Sequence, residues 1–422
     1  MREMKDSGVA WIGEIPEEWD LLRFKDHYKN IKEVAGEKSF EYDRLALTLN
    51  GVIKRKKDDS DGLQPKEFDG YQILRKNDFI FKMIDLQNIS TSRVGLSQYT
   101  GLVSPAYIRF TPRKKDSFNK FVYYYLMSMY YNCVFNNLGG NGVRSALNAS
   151  DMGRLMIPYP KIETQHQIAT YLDQKCTQID ALIANQQKQI EKLKAYKQSL
   201  ITETVTKGLN PDVPMKDSGV EWIGEIPEDW EILQLSSVVT ERKHKNIGMI
   251  ETNLLSLSYG NVIRKNINTT DGLLPESFEG YNIIEAGDIV LRLTDLQNDH
   301  KSLRSGLCTE RGIITSAYVT LANRGGTLIS EYLHYLLHTF DIYKGFYGMG
   351  AGVRQGLNFD GIKKILLTRP KIEEQQAIVS YLDQKCTQID SLIAIKQRKI
   401  EKLQQYKKSV IYEYVTGKKE VK

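Results

Sequence analysis

Two rhythms of apolar residues alternate along the chain. Between about Leu45 and Phe110, short apolar runs such as DRLALTL, GYQILRKNDFIFKMI and SPAYIRF are separated by Gly, Asn-Gly and Asp-Gly, a pattern that predicts strands joined by turns. The stretch NKFVYYYLMS predicts a helix, and FVYYYLMSMYYNCVF from Phe121 to Phe135, too short and too rich in Tyr for a membrane span, predicts that this helix is buried. After Pro160 the period changes to threes and fours, through Ile179, Leu182, Ile183, Ile190, Leu193, Leu200 and Ile201. That spacing predicts one long helix, broken near Cys176 if at all. Pro160 suits its start, Glu163 suits the positive end of the dipole, and no Gly or Pro follows until Gly208.

The whole sequence of rhythms then recurs. MKDSGVAWIGEIPEEW starts at Met4 and MKDSGVEWIGEIPEDW at Met215, and these two stretches contain all four tryptophans, Trp11, Trp19, Trp222 and Trp230. DGLQP at Asp61 matches DGLLP at Asp271, DLQN recurs at Asp85 and Asp295, and Gly142-Val143-Arg144 matches Gly352-Val353-Arg354. YLDQKCTQID occurs without change from Tyr171 and from Tyr381. So long a period is a duplicated domain and helix, not a solenoid. The second helix, entered after Pro370 with Glu373 in its first turn, carries Ile389, Leu392, Ile393, Ile400, Leu403, Val410 and Ile411 in the same row. Gln186 and Lys396 interrupt the two stripes, as polar residues that fix register do. Neither helix can bury its stripe alone, so each is expected to pack antiparallel on its duplicate, with Ile179, Ile183, Ile190, Leu193 and Leu200 facing Ile389, Ile393, Ile400, Leu403 and Val410.

The expected fold is α+β: two homologous domains separated by a pair of long antiparallel coiled-coil-like helices, with pseudo-two-fold symmetry. The boundaries implied are a first domain at 1–162, a helical spacer at 163–207, a linker at 208–214, a second domain at 215–372, a second spacer at 373–417 and a tail at 418–422. The tryptophans are expected to be apolar anchors of the segment that opens each domain.

Charge modifies this picture only slightly. The 422 residues hold 58 Lys and Arg against 52 Asp and Glu, a balance that permits nucleic-acid binding without requiring it. Cys133, Cys176, Cys308 and Cys386 form no CxxC and have no His at ligand spacing, so reduced cytoplasmic thiols are expected rather than disulfides or zinc. The charged Arg2, Glu3, Lys5 and Asp6 do not resemble a signal peptide, and no membrane association is expected.

No catalytic apparatus repeats. The Asn-Pro-Pro-Tyr and Asp-Pro-Pro-Tyr motifs of amino-methyltransferases are absent, and GMGAGVRQG at Gly348 lacks the lysine of a phosphate-binding loop. His166 is matched by Gln376, which leaves no repeated general base. What repeats suits binding. Lys54, Arg55, Lys56 and Lys57 follow a turn in the first half, as Arg264 and Lys265 do in the second, where they serve either a solvated loop or phosphate contacts. The DLQN segments place Gln87 and Asn88, or Gln297 and Asn298, after a strand; paired amides can read an adenine edge and can equally build a turn. Arg144 and Arg354 stand on Gly-flanked turns, where a guanidinium could meet guanine or phosphate. Tyr107 and Tyr318, taken to end matched strands, are expected in the core.

The blocks MKDSGVEWIGEIPEDWEI, GIITSAYVTL, RPKIEEQQAIVSYLDQKCTQIDSLI and KIEKLQQYKKSVIYEYVTGK closely resemble the specificity subunits of type I restriction-modification systems, over nearly the whole chain and in both copies. The first helix ends VTKGLNP where the second keeps the family's VTGK. The resemblance implies two target-recognition domains, each reading one part of a split double-stranded DNA site, with helices acting as a ruler. It implies no catalytic residue, cofactor or metal in this chain. Two modification subunits, docked on the helices, would bring S-adenosylmethionine for adenine methylation, and restriction subunits would bring ATP and magnesium for translocation and cleavage. About 30 helical residues span roughly 45 Å, on the order of 13 base pairs, so successive major grooves would be within reach. Because the two domains are so alike, the half-sites are expected to be related as inverted sequences.

Overall fold

The computed structural model describes residues 2–49, 51–57, 67–84, 86, 93–114, 118–138, 146–267, 275, 277–296, 303–349 and 356–421. The chain forms two compact units, Met1–Gln186 with Arg398–Lys422, and Gln187–Gln397. The boundaries fall inside the two long helices, Ile162–Lys207 and Ile372–Val415, so each unit holds part of both. Both helices run without a break, including at Cys176 and Cys386.

In the first unit, one four-stranded sheet has the order Gly51–Arg55, Arg44–Thr48, Gly101–Val103, Gln72–Leu74, and a second has Tyr28–Asn30, Ile108–Pro112, Phe79–Phe81, Val94–Leu96. Alternation in Arg44–Thr48 turns Leu45 and Leu47 inward, as a sheet with one buried face requires. The hairpin it forms with Gly51–Arg55 lies over Gly95, where an added Cβ would come within 2.7 Å of Leu47 and 2.8 Å of Val52. Beside it, a Cβ on Gly101 would stand 2.5 Å from the Asp43 carbonyl oxygen. These two glycines let the hairpin seat directly on the sheet beneath it.

The main core of this unit is aromatic. Phe24 stacks on Tyr28 at 4.5 Å and meets Phe79, Phe81 and Phe110 edge-on, with centroids 4.9–5.9 Å away. The expected Tyr-lined helix is Asn119–Tyr131; Cys133, at φ 54°, breaks it from Val134–Leu138. Its Tyr124 hydroxyl donates to Asp173 on the long helix at 2.7 Å. Val410, Ile411 and Val415, from the end of the other long helix, complete the core. Tyr171 meets Tyr414 at 4.5 Å and Lys407 donates to Asp180 at 2.7 Å, so the helices run antiparallel within this unit.

The second unit repeats the plan. Val239–Glu241, Val319–Asn323, Ile289–Leu291 and Ser305–Leu307 form its four-stranded sheet. The hairpin Leu255–Ser258 with Asn261–Arg264 lies over Gly306, and Asn282–Ile284 pairs with Gly312–Ile314. Tyr335 donates to Asp383 at 2.7 Å, matching Tyr124 and Asp173, and Ile201 and Val205 enter the core from the first long helix. Lys197 donates to Asp390 and Lys396 to Gln189, again an antiparallel helix pair.

The repeated opening segments lock the helix ends. Gly208 (φ 78°) and Gly417 (φ 73°) terminate the two helices in the left-handed conformation open to glycine. A Cβ at Gly417 would meet Pro16 at 2.3 Å and Trp19 at 3.2 Å; one at Gly208 would meet Trp230 at 3.3 Å. Trp19 and Trp230 are buried, and the Trp230 indole donates to Glu374 at 3.0 Å. Trp11 and Trp222 are half-buried. Of the predicted helix stripe, Ile179, Ile190, Ile201, Ile389, Ile400, Val410 and Ile411 are buried, and Ile183, Leu193, Leu200, Ile393 and Leu403 are half-buried. Leu182 and Leu392 were expected in that stripe but are both 47% exposed, because their positions rotate away from the antiparallel seam.

Candidate nucleic-acid interface

The described residues bring together the bases of three segments that the sequence singled out separately. In the first unit the Leu147 amide donates to the Met83 carbonyl at 3.0 Å, joining the chain that leaves the Gly-Arg turn to the chain that enters DLQN. The second unit makes the same bond, Leu357 to Leu293, at 2.9 Å. Gln87, Asn88, Arg144, Gln297, Asn298 and Arg354 themselves lie outside the described residues.

Beneath each DLQN segment sits a buried arginine that sequence reasoning missed. Arg93 donates to the Leu86 carbonyl at 2.6 Å, and Asn136 donates to the same oxygen at 2.5 Å. Arg304 donates to the Thr294 carbonyl at 2.6 Å and to the Arg292 and Asp295 carbonyls at 3.3 Å. A guanidinium with donors in a fixed fork can hold several backbone carbonyls at once, which sets the direction in which the chain leaves the strand. The signal was present as a repeated Arg-x-Gly-Leu, Arg93 to Leu96 and Arg304 to Leu307.

The hairpins form the third segment. Lys54 and Arg55 lie in the strand Gly51–Arg55, and Arg264 in Asn261–Arg264, so of the two readings left open for these cations the solvated loop does not hold for these three. Lys54 donates to Asp43 at 2.7 Å and stands 5.5 Å from the Tyr99 ring. The pair lowers the Asp43 carboxyl and raises the Lys54 ammonium, in each case chiefly through their shared hydrogen bond. Lys57 donates to the Ser39 carbonyl at 2.8 Å. Together Arg44, Lys54, Arg55, Lys56 and Lys57 line a surface hollow of about 450 Å³ with Glu41, Asp43, Phe40 and Tyr42. In the second unit Arg264 is clamped by both carboxylate oxygens of Glu310 through its Nε at 2.8 Å, which holds the Glu310 carboxyl below its usual range. Lys265 follows directly, its backbone amide bonded to Leu254 at 2.8 Å.

Tyr107 and Tyr318 precede the strands Ile108–Pro112 and Val319–Asn323; they were expected to end them. Each is half-buried against a small apolar cluster under its hairpin. Among the described residues, no helix is long and apolar enough to cross a membrane.

Residues 24–192 match the family described as the type I restriction modification DNA specificity domain. The type I restriction enzyme MjaVIII specificity subunit of Methanocaldococcus jannaschii is 26% identical, over 97% of this chain and 94% of its own. The MjaX chain assigned the same role in that organism is also 26% identical, over 97% and 96%. A solved chain from work on complex assembly and conformational transition of the type I restriction-modification system shares the fold, with a TM-score of 0.66 at 12% identity over 96% of this chain and 99% of that one. An α+β protein with a duplicated domain and two long helices is thereby defined. Its sequence is similar over nearly its whole length to specificity subunits of type I restriction-modification systems, and its residues 24–192 match their DNA specificity domain.

Proposed function

We propose that each unit of this chain reads one part of a bipartite double-stranded DNA site, with the long helices setting the unread gap between the parts. The observation that carries this reading is repeated in both units: the hairpin packs over the strand that follows DLQN, and a backbone bond joins the chain before DLQN to the chain after the Gly-Arg segment. Cations on each hairpin supply phosphate contacts that fix register, and the adjoining loops supply the groups that meet base edges. The half-sites are related as inverted sequences wherever the loops agree.

The helices also dock two modification subunits. Leu182 and Leu392 are exposed, as are Tyr196 and Tyr406, and each pair occupies equivalent positions of the repeat. Apolar side chains exposed twice at matching places suit two copies of one partner. Those subunits bring S-adenosylmethionine and methylate adenine; restriction subunits bring ATP and magnesium, and the assembly works in the cytoplasm. A duplex-binding titration over salt, with the chain assembled with its modification subunits, tests the reading. It predicts a steep fall in affinity with salt, whereas salt-independent association would point to a protein-only adaptor.

A further inference from the structure

We infer that Tyr259 is a specificity-determining residue of the second unit, an aromatic wedge at the hairpin tip that stacks on a flexible base step of its half-site. The inference rests on the DNA-reading function proposed above and adds the residue and the kind of contact.

Ser258 pairs with Asn261, so the hairpin closes through only Tyr259 and Gly260, at φ 47° and φ 81°. Two successive positive φ values define the turn that Asn-Gly or Asp-Gly closes most cheaply. A bulky aromatic in that conformation is an outlier, since its Cβ crowds the backbone. The fold recovers little of this cost, because the tyrosine is 83% exposed. A side chain that strains its own turn without burying itself marks a position held for something outside the fold.

The surroundings identify what that is. A Cβ on Gly260 would lie 3.1 Å from the Leu303 side chain and 3.5 Å from the Ser305 carbonyl oxygen, so the tip rests on the chain leaving the segment that contains Gln297 and Asn298. Arg264 and Lys265 lie on the same hairpin. A two-stranded ribbon of this width fits the major groove, with Arg264 and Lys265 at the end of the hairpin away from the tip and the Tyr259 ring exposed at the tip itself. Wedging requires a base step that opens easily, which favours pyrimidine–purine steps. The first unit offers Leu49 at the matching place, 63% exposed; an aliphatic side chain can touch a thymine methyl but cannot stack as a ring does. The two half-sites therefore differ at the position each tip meets.

The test uses the full chain assembled with its modification subunits, a duplex carrying the mapped site, and the variants Tyr259→Phe, Tyr259→Ala and Tyr259→Asn. Stacking predicts that Phe keeps affinity within about twofold, while Ala and Asn each lose roughly tenfold. Asn also raises the thermal midpoint of the second unit, because it suits the turn; a purely structural tyrosine would not combine higher stability with weaker binding. Fluorescence of 2-aminopurine at the contacted step should be quenched with Tyr and Phe and recover with Ala. Wild-type affinity in both Ala and Asn would overturn the inference while leaving the DNA-reading function standing. If the unsubstituted complex shows no preference for the mapped site over other duplexes, that function fails and the inference fails with it.

Discussion

The two units share a frame and differ in how it is filled. Phe110 opposes Phe79 and Asn30 in the first sheet, and Leu321 opposes Ile289 and Glu241 at the same register in the second. The interior at that register changes from Phe24, Tyr28, Phe79, Phe81 and Phe110 to Leu235, Val239, Ile289, Leu291 and Leu321. A buried carboxylate keeps its place but takes its guanidinium from a different strand. Asp78 is met by Arg109 at 2.6 Å, whereas Asp288 is met at 2.9 Å by Arg242, and Thr320 stands where Arg109 would be. Ladder register, glycine contacts and helix caps are therefore the constrained features. Side-chain identity inside them changes between the units, aliphatic where the first unit is aromatic, while the buried carboxylate is paired with a guanidinium in both.

The carboxylate pair gives the largest expected effect and the sharpest test of that equivalence. Arg109 is 2% exposed and keeps the half-buried Glu33 at 3.0 Å once Asp78 is gone, so Asp78→Ala leaves a buried guanidinium under-compensated, whereas Arg242 is 29% exposed. Asp78→Ala should cost about 3 kcal/mol in urea unfolding and Asp288→Ala clearly less. Adding Ile31→Arg to Arg109→Thr should recover part of the loss of Arg109→Thr alone, because it copies the second unit's arrangement. No recovery would show that the two frames are not interchangeable. Next in size, Gly101→Ala or Gly312→Ala places a Cβ 2.5 Å from a backbone oxygen and should cost about 1–3 kcal/mol, in its own unit only.

Acid should separate the units by a smaller amount. His334 and His338 on the helix Ser330–Ile342 are pushed down to about 4, chiefly by burial. Their places in the first unit are held by Tyr123 and Met127. A histidine depressed below its unfolded value near 6.5 favours the fold while neutral, and that contribution is lost as pH falls from about 6.5 towards 4. The second unit should therefore lose stability over this window at up to about 1.4 kcal/mol per pH unit for each histidine, and His334→Tyr with His338→Met should flatten its profile. The smallest effect concerns salt. Lys56→Gln and Lys57→Gln should each reduce the slope of log affinity against log salt by about 0.9 if both lysines meet phosphates, without changing the bases read.

Much of this organisation was legible in the sequence because duplication sets every landmark against a second copy. The long helices followed from a row of Ile and Leu at threes and fours, and the buried Trp19 and Trp230 from their place in the repeated opening segment. The strand placement of Lys54 and Arg264 was hidden, since Gly and Asn around a two-residue turn resemble a longer loop. Leu182 and Leu392 fit the apolar row but face outward, because periodicity alone does not say how wide a stripe the partner helix covers. Arg93 and Arg304 escaped notice for a related reason: an isolated arginine suggests solvent or phosphate, and only three-dimensional packing shows it buried against backbone carbonyls.

If, as proposed, one duplicated chain reads two half-sites and fixes the distance between them, methylated adenines mapped across the genome of cells carrying this chain, and of cells lacking it, will show it. The predicted result is a single motif of two short, inversely related elements with a constant unread gap, lost entirely when the chain is removed. A continuous motif, or one that persists without the chain, would contradict it.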